Sequence, residues 1–70
     1  MLIELDDPSV LDDLVEFMHV AGCLAVVRGA AKVEVTPATT KGEDADRANV
    51  ARLLDSWRGG NPDVQAVTLD

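Results

Sequence analysis

Between Val10 and Ala21 the apolar side chains recur with the period of an α-helix, and this pattern limits the folds open to the chain more than any other. At about 100° per residue the apolar residues form one broad arc, and polar residues fill the opposite arc. Asp7 and Pro8 are a typical helix start, and Gly22 is suited to end the helix in the left-handed conformation. A helix with one apolar side has to pack on a flat apolar surface.

Four short segments rich in branched apolar residues are predicted strands, and they could supply that surface. They are Met1–Leu5, Leu24–Arg28, Lys32–Thr36 and Val64–Leu69. The middle two are predicted to form a hairpin through the loop at residues 29–31. Alternation predicts that Val33 and Val35 face the core. In the last strand the predicted core residues are Val67 and Leu69.

A second helix is predicted from Glu43 to Arg58. Its apolar stripe has the spacing i, i+3, i+4 and i+7 of a packed helix and comprises Val50, Leu53, Leu54 and Trp57. Gly59 and Pro62 belong to the segment that ends this helix. Asp46 lies on the same stripe one turn earlier. It is expected either to cap the helix dipole or to face a small cavity as a functional carboxylate.

Two amphipathic helices and four strands are predicted to form one α+β domain over residues 1–70. The order β-α-β-β-α-β predicts a two-layer sandwich of the ferredoxin-like kind, with an antiparallel sheet of order 4-1-3-2 and both helices on one face. A chain of this length buries only about 60% of the surface that its unfolded form exposes. Its core is therefore thin, and dimerisation is an expected way to reinforce it.

This element order resembles that of ACT domains and of heavy-metal-associated domains. The ACT resemblance implies a site for an amino acid or a similar metabolite at a dimer interface. The heavy-metal resemblance implies a C-x-x-C in the first loop, but residues 6–9 of this chain read D-D-P-S, so that route to metal binding is excluded. Trp57, Asn61, Pro62 and Val64 also resemble a W-x-x-x-N-P-x-V pattern of short bacterial proteins, which implies no activity.

The net charge of −7 is concentrated in the first part of the chain. Residues 1–27 contain six acidic residues and no Lys or Arg, whereas the rest contains six basic and seven acidic residues. Repulsion from phosphate groups argues against nucleic acids and anionic membranes as partners and favours a basic protein or a cation. The acidic start is unlike a secretory signal, and the lone Cys23 cannot form an internal disulfide, so we expect a cytoplasmic protein.

In the predicted fold, one end of the molecule gathers several aspartates and three basic residues. They are Asp6, Asp7, Asp12, Asp13, Arg28, Lys32 and Arg58. Carboxylates near a helix N-terminus, with cations beside them, account for this end without a ligand. A calcium or magnesium site is the alternative, although the spacing does not follow the calcium-loop pattern.

The opposite end is predicted to hold His19, Cys23, Asp44 and Asp46. His19 and Cys23 are close enough in sequence to share a zinc or iron ion with a carboxylate. Gly22, however, is expected to turn Cys23 away, and a solvated His19 beside a buried Cys23 accounts for both residues. We therefore predict no metal and no cofactor, and we keep His19, Asp44 and Asp46 as a candidate polar site.

The stronger candidate is a strand edge. In the sheet order 4-1-3-2 the second strand is an edge strand, and edges are normally guarded by charge, proline or a bulge. Here Cys23, Leu24, Ala25, Val26 and Val27 carry no charge. Either another chain adds to this segment or the surrounding loops cover it. Binding of another chain is the preferred prediction, with a homodimer through Leu24–Val27 as the first expectation and a basic protein partner as the second.

For catalysis, the chain has one His, one Cys and no credible pairing of a nucleophile with a base. We therefore expect a protein that is not an enzyme and has no catalytic residues. The leading interpretation is a small interaction or regulatory module that self-associates or binds a protein partner. An ACT-like domain that senses a small molecule is the alternative, and a cation-binding or enzymatic protein ranks below both.

Overall fold

The computed structural model describes residues 1–69, which form a four-stranded sheet, two α-helices and a short 3₁₀-helix. In chain order the elements are β1 (Leu2–Leu5), the 3₁₀-helix (Pro8–Val10), α1 (Leu11–Val20), β2 (Cys23–Gly29), β3 (Lys32–Pro37), α2 (Glu43–Gly59) and β4 (Ala66–Thr68). The predicted α+β class and the order of the elements are confirmed. The last strand starts later than predicted, because the Val64 N–H donates to the Asn61 carbonyl at 3.1 Å and the chain is still turning there.

All the strand pairs are antiparallel, and the neighbours in the sheet run β2-β3-β1-β4. Counted from the other edge, the same sheet reads β4-β1-β3-β2. The β2–β3 hairpin pairs Cys23 with Pro37 at one end and Gly29 with Lys32 at the other, with an irregularity between Val27 and Gly29. β2 and β4 are therefore the two edge strands, and β1 and β3 lie between them.

Asp7 is the N-cap of the 3₁₀-helix, whereas Val10, the N-cap of α1, makes no side-chain cap hydrogen bond. The Asp7 carboxylate accepts hydrogen bonds from the Ser9 hydroxyl at 2.6 Å and from the Ser9 N–H at 3.0 Å. Both bonds stabilise the charged carboxylate and therefore lower the pKa of Asp7 below its usual value. The bond from the Ser9 hydroxyl has the larger effect and the bond from the Ser9 N–H the smaller one. At the other end of α1, Gly22 has a φ of 89°, the conformation that lets the chain leave the helix and enter β2.

The buried residues of the strands and of both helices form one cluster. It contains Ile3, Leu5, Leu11, Leu14, Met18, Cys23, Val33, Val35, Val50, Leu54, Trp57 and Val64. The two helices also contact each other, since the Trp57 Nε1–H donates to the Asp13 carboxylate at 3.0 Å. The apolar arcs predicted for α1 and α2 supply half of this core, with three residues from each helix. Leu24, Val26 and Val67 are exposed on the other face of the sheet, which is called the open face below.

One core prediction is wrong. Val67 is 54% exposed and Leu69 is 45% exposed, whereas Val64, which precedes β4, is buried. The cause is register: Val67 pairs with Glu4, so both side chains lie on the face of the sheet opposite the helices. A shift of one residue moves every side chain of a strand to the other face.

Candidate interaction edge

The free edge of β2 presents backbone groups that β3 does not use. The Gly22 carbonyl accepts a hydrogen bond from the Ala38 N–H at 3.1 Å, so Gly22 faces β3. In an antiparallel ladder, alternate residues point their N–H and C=O toward the same neighbour. Leu24 and Val26 therefore also bond to β3. The backbone groups of the residues before, between and after them, Cys23, Ala25 and Val27, point to the free edge.

The side chains along β2 are uncharged and are exposed to different degrees. Leu24 is 60% exposed and Val26 is 49% exposed. Their partners in β3, Thr36 and Glu34, alternate with the buried Val33 and Val35, so Leu24 and Val26 lie on the open face of the sheet. Val27 is on the helix side but is still 52% exposed, because it lies near the end of the hairpin. The segment thus combines an accessible backbone edge with accessible apolar side chains.

Cys23 is the one member of the predicted edge segment that is buried. Burial raises the pKa of the Cys23 thiol, because the thiolate would lose hydration. The thiol therefore stays protonated near neutral pH and is a poor nucleophile. Its contribution to the edge comes from its backbone.

Charged residues on the open face of the sheet occur as pairs. Arg28 Nη2 lies 2.7 Å from the Glu34 carboxylate, and Lys32 Nζ lies 3.7 Å from the Glu4 carboxylate. Arg28 and Lys32, which were predicted to lie at the same end of the molecule as the aspartates of the first loop and α1, form their ion pairs with glutamates of the sheet. The physical reason is cross-strand proximity, since Glu4 and Lys32 are direct partners in the β1–β3 ladder. The open face carries these charges with no net excess.

The charge of the chain is therefore unevenly distributed. Residues 23–42, which include the β2–β3 hairpin, contain three basic residues and one acidic residue, a net charge of +2. The remaining residues carry a net charge of −9. The candidate edge belongs to the least acidic part of the molecule.

The candidate polar site is only partly assembled. A cleft of about 450 Å³ lies between β3 and the start of α2, and its lining includes Thr40, Asp46, Arg47 and Val50. Asp46 is half-buried and accepts a hydrogen bond from the Lys41 N–H at 2.9 Å, so it both ties the loop to α2 and lines this cleft. His19 and Asp44 are exposed and do not belong to the lining that surrounds the cleft.

Within residues 1–69, no group of three or more His, Cys, Asp or Glu side chains is arranged to hold a metal ion. None of the helices described is long and apolar enough to span a bilayer.

Sequence reasoning located the edge but missed two features of its surroundings. The first is the exposure of Val67, which depends on the register of β4 and leaves no local signal. The second is the pairing of Arg28 with Glu34. The hairpin itself indicated this pair, because Glu34 faces Val26 across the ladder and Arg28 is two residues further along.

No protein family, curated protein or solved structure matches this chain.

Proposed function

We propose that this protein is a small non-enzymatic interaction module and that the free edge of β2 pairs with a strand of a protein partner. The observation that carries the proposal is the run Cys23–Val27, where outward backbone groups coincide with uncharged side chains. An added strand gains main-chain hydrogen bonds from such an edge and side-chain contacts from alternate residues. The exposed Leu24 and Val26 supply those contacts on the open face.

The proposed domain is of the ferredoxin-like kind, with both helices on one face of the sheet. Two findings support this assignment: the element order, and the neighbours β4-β1-β3-β2 counted from the β4 edge. The shared core of α1, α2 and the strands supports the placement of the helices. In such a sandwich the second strand is left at an edge, which is the condition that the interaction requires.

The non-enzymatic part of the proposal is supported by the chemistry of the side chains. The chain has one His and one Cys, and the raised pKa of the Cys23 thiol disfavours its use as a nucleophile. A lone cysteine, which cannot form an internal disulfide, also supports a cytoplasmic location.

Site-specific photo-crosslinking in living cells tests the proposal. A benzophenone side chain replaces Leu24 in one variant and the similarly exposed Val67 of β4 in a matched control. We expect a covalent adduct with a polypeptide from position 24, and mass spectrometry then identifies that polypeptide. Equal labelling from positions 24 and 67, or no adduct from position 24 in the native organism, would contradict a specific role for the β2 edge.

A second candidate function is the sensing of a small molecule, and the cleft between β3 and α2 favours it. A volume of about 450 Å³ is within the range of ligand sites, and the lining combines the apolar Val50 with the charged Asp46 and Arg47. This combination suits a zwitterion such as an amino acid, whose carboxylate and ammonium groups need opposite charges.

Thermal unfolding in the presence of free amino acids tests this second candidate. A ligand at about 100 times its dissociation constant should raise the melting temperature of a domain this small by at least about 10 °C. Asp46→Asn should reduce that shift, whereas Asp44→Asn, outside the cleft, should preserve it. If no amino acid changes the melting temperature of the unmodified protein, this candidate is rejected.

A further inference from the structure

We infer that the strand which pairs with β2 is the β2 strand of a second copy of this chain, antiparallel to it and related by a two-fold axis at Ala25. This inference rests on the proposed function and names its partner. The result would be a continuous eight-stranded sheet with the two β2 strands at its centre.

The limits of the regular part of β2 define the register. On one side the strand begins after Gly22, whose φ of 89° turns the chain. On the other side the pairing with β3 becomes irregular between Val27 and Gly29. The regular segment is therefore Cys23–Val27, and its middle residue is Ala25.

The backbone directions are compatible with a two-fold axis at that residue. Cys23, Ala25 and Val27 are the residues whose N–H and C=O groups point to the free edge. A two-fold axis at Ala25 places each Ala25 opposite its copy and each Cys23 opposite the partner's Val27. Every outward group then meets an outward group, which is the condition for hydrogen-bonded pairs in an antiparallel ladder. An axis at Leu24 would match Cys23 with Ala25 but leave Val27 opposite Ala21, and an axis at Val26 would match Ala25 with Val27 but leave Cys23 opposite Gly29. Ala21 and Gly29 lie outside the regular segment, so only the axis at Ala25 matches all three outward residues.

The side chains are also complementary in this register. Leu24 of each copy lies opposite the partner's Val26 on the open face, so two exposed apolar residues cover each other. Arg28 lies outside the paired segment, opposite the partner's Gly22, and it is already paired with Glu34 at 2.7 Å. The ladder therefore brings no like charges into direct opposition.

The charge distribution favours contact between two copies through their β2 edges. Two molecules of net charge −7 repel each other, and the residues outside 23–42 carry a net charge of −9. Contact through β2 brings together the segments with a net charge of +2 and a neutral edge, so it involves the smallest repulsion. Five residues per copy form a small interface, and we expect weak, concentration-dependent association.

Disulfide trapping tests the register. In a Cys23→Ala background, Ala25→Cys places two thiols at opposed positions of a hydrogen-bonded pair, where the Cα atoms are about 5.5 Å apart and a disulfide can form. Val27→Cys in the same background is the matched control, since its two thiols would be four residue steps, about 13 Å, apart along the strands. We expect mild oxidation to give a covalent dimer only with Ala25→Cys. Equal cross-linking from both positions would overturn the register.

Amide hydrogen exchange of the unmodified protein provides a test without substitutions. As the concentration rises from micromolar to millimolar, the Ala25 and Val27 amides should exchange more slowly. Ala66 and Thr68 on the β4 edge should not change. Sedimentation equilibrium over the same range should give a mass that rises toward that of a dimer.

The outcomes separate this inference from the proposed function. A monomer at millimolar concentration, with no protection at Ala25, would overturn the second copy as the partner. A photo-adduct from position 24 to a different protein would then still support an interaction at the β2 edge. A dimer with an unprotected Ala25 amide would overturn pairing through β2, and with it both this register and self-association at the proposed site.

Discussion

Both edges of the sheet have apolar side chains that are about half exposed, but the two edges differ in the length of free backbone that they offer. Val67 on β4 is 54% exposed and Val27 on β2 is 52% exposed. β2, however, extends over Cys23–Gly29 and turns three residues outward, whereas β4 extends only over Ala66–Thr68. Side-chain exposure alone therefore does not identify an interaction edge. The number of consecutive outward backbone groups does, because each added pair contributes hydrogen bonds to a partner strand.

β4 also differs from β2 in the hydrogen bonds that fix the residue before its start. The Asp6 N–H donates to the Gln65 carbonyl at 3.0 Å, and the Gln65 N–H donates to the Asp6 carboxylate at 2.9 Å. These two bonds fix the entry to β4 and place an acidic residue beside it. A short edge strand next to a charge is one of the ways in which proteins prevent edge-to-edge pairing. β2 has a bulge and Arg28, but only after its regular segment.

The largest expected effect comes from lysines on the β2 edge. The double substitution Leu24→Lys and Val26→Lys removes both apolar cross-strand pairs of the proposed dimer and adds repulsion. We expect the dissociation constant to rise roughly twofold to thirtyfold from the loss of two pairs worth about 0.2–1 kcal/mol each, and to rise further from the repulsion between the lysines. Sedimentation equilibrium measures it.

The matched control adds the same charge to the other edge, through Val67→Lys and Leu69→Lys. These two residues are exposed on the same face of the sheet. If the control weakens association as much as the β2 variant, the two edges do not differ in the way proposed here.

Proline substitutions test which N–H groups of β2 point to the free edge and which bond to β3. The Ala25 N–H points to the free edge, so Ala25→Pro should fold and lose self-association, as proline is tolerated where the N–H faces solvent. Val26→Pro removes a hydrogen bond to β3. Its free energy of unfolding should be lower than that of Ala25→Pro by at least about 1 kcal/mol, as measured by urea denaturation.

This pair of variants also tests the assignment of backbone directions. Should Ala25→Pro prove the less stable of the two, Ala25 would have to bond to β3. The two-fold axis at Ala25 would then be wrong.

Ionic strength distinguishes a second copy from a basic partner. Two copies with a net charge of −7 repel each other, so salt should strengthen self-association several-fold as the screening length falls from about 30 Å to about 8 Å. A complex with a basic protein should weaken under the same change. Sedimentation equilibrium at low and physiological salt measures the direction. Association that salt weakens would contradict the idea that the neutral edges meet.

Local patterns predicted most of this fold, and pairings distant in sequence decided the rest. The periodicity of Val10–Ala21 and the signals at Asp7 and Gly22 are local. The structure has α1 over Leu11–Val20 and ends it before Gly22, but Asp7 caps the 3₁₀-helix that precedes α1 and not α1 itself. The exposure of Val67 was not predictable in this way, because the register of β4 depends on Glu4 and Asp6, about sixty residues earlier in the chain.

For the candidate edge and the cleft, too, the sequence indicated some features, and others depend on the fold. The absence of charge in Cys23–Val27 marked the edge directly in the sequence. Which of its residues turn outward depends on the hydrogen bond between Gly22 and Ala38, which only the fold provides. Asp46 broke the stripe of its helix and so indicated the cleft, but the contribution of β3 to that cleft had no sequence signal.

The smallest expected effect concerns Arg28, the first charge after the regular part of β2. Its ion pair with Glu34 is exposed, so Arg28→Ala should lower the free energy of unfolding by less than about 1 kcal/mol. Because Arg28 would lie opposite the partner's Gly22, outside the paired segment, the dissociation constant should change less than about fivefold. Glu34→Ala, which breaks the same ion pair but leaves Arg28 in place, is the matched control. If Arg28→Ala alone strengthens association more than about tenfold, the arginine guards this edge. The difference between β2 and β4 would then lie in the charge placed at each edge, and not in the length of free backbone.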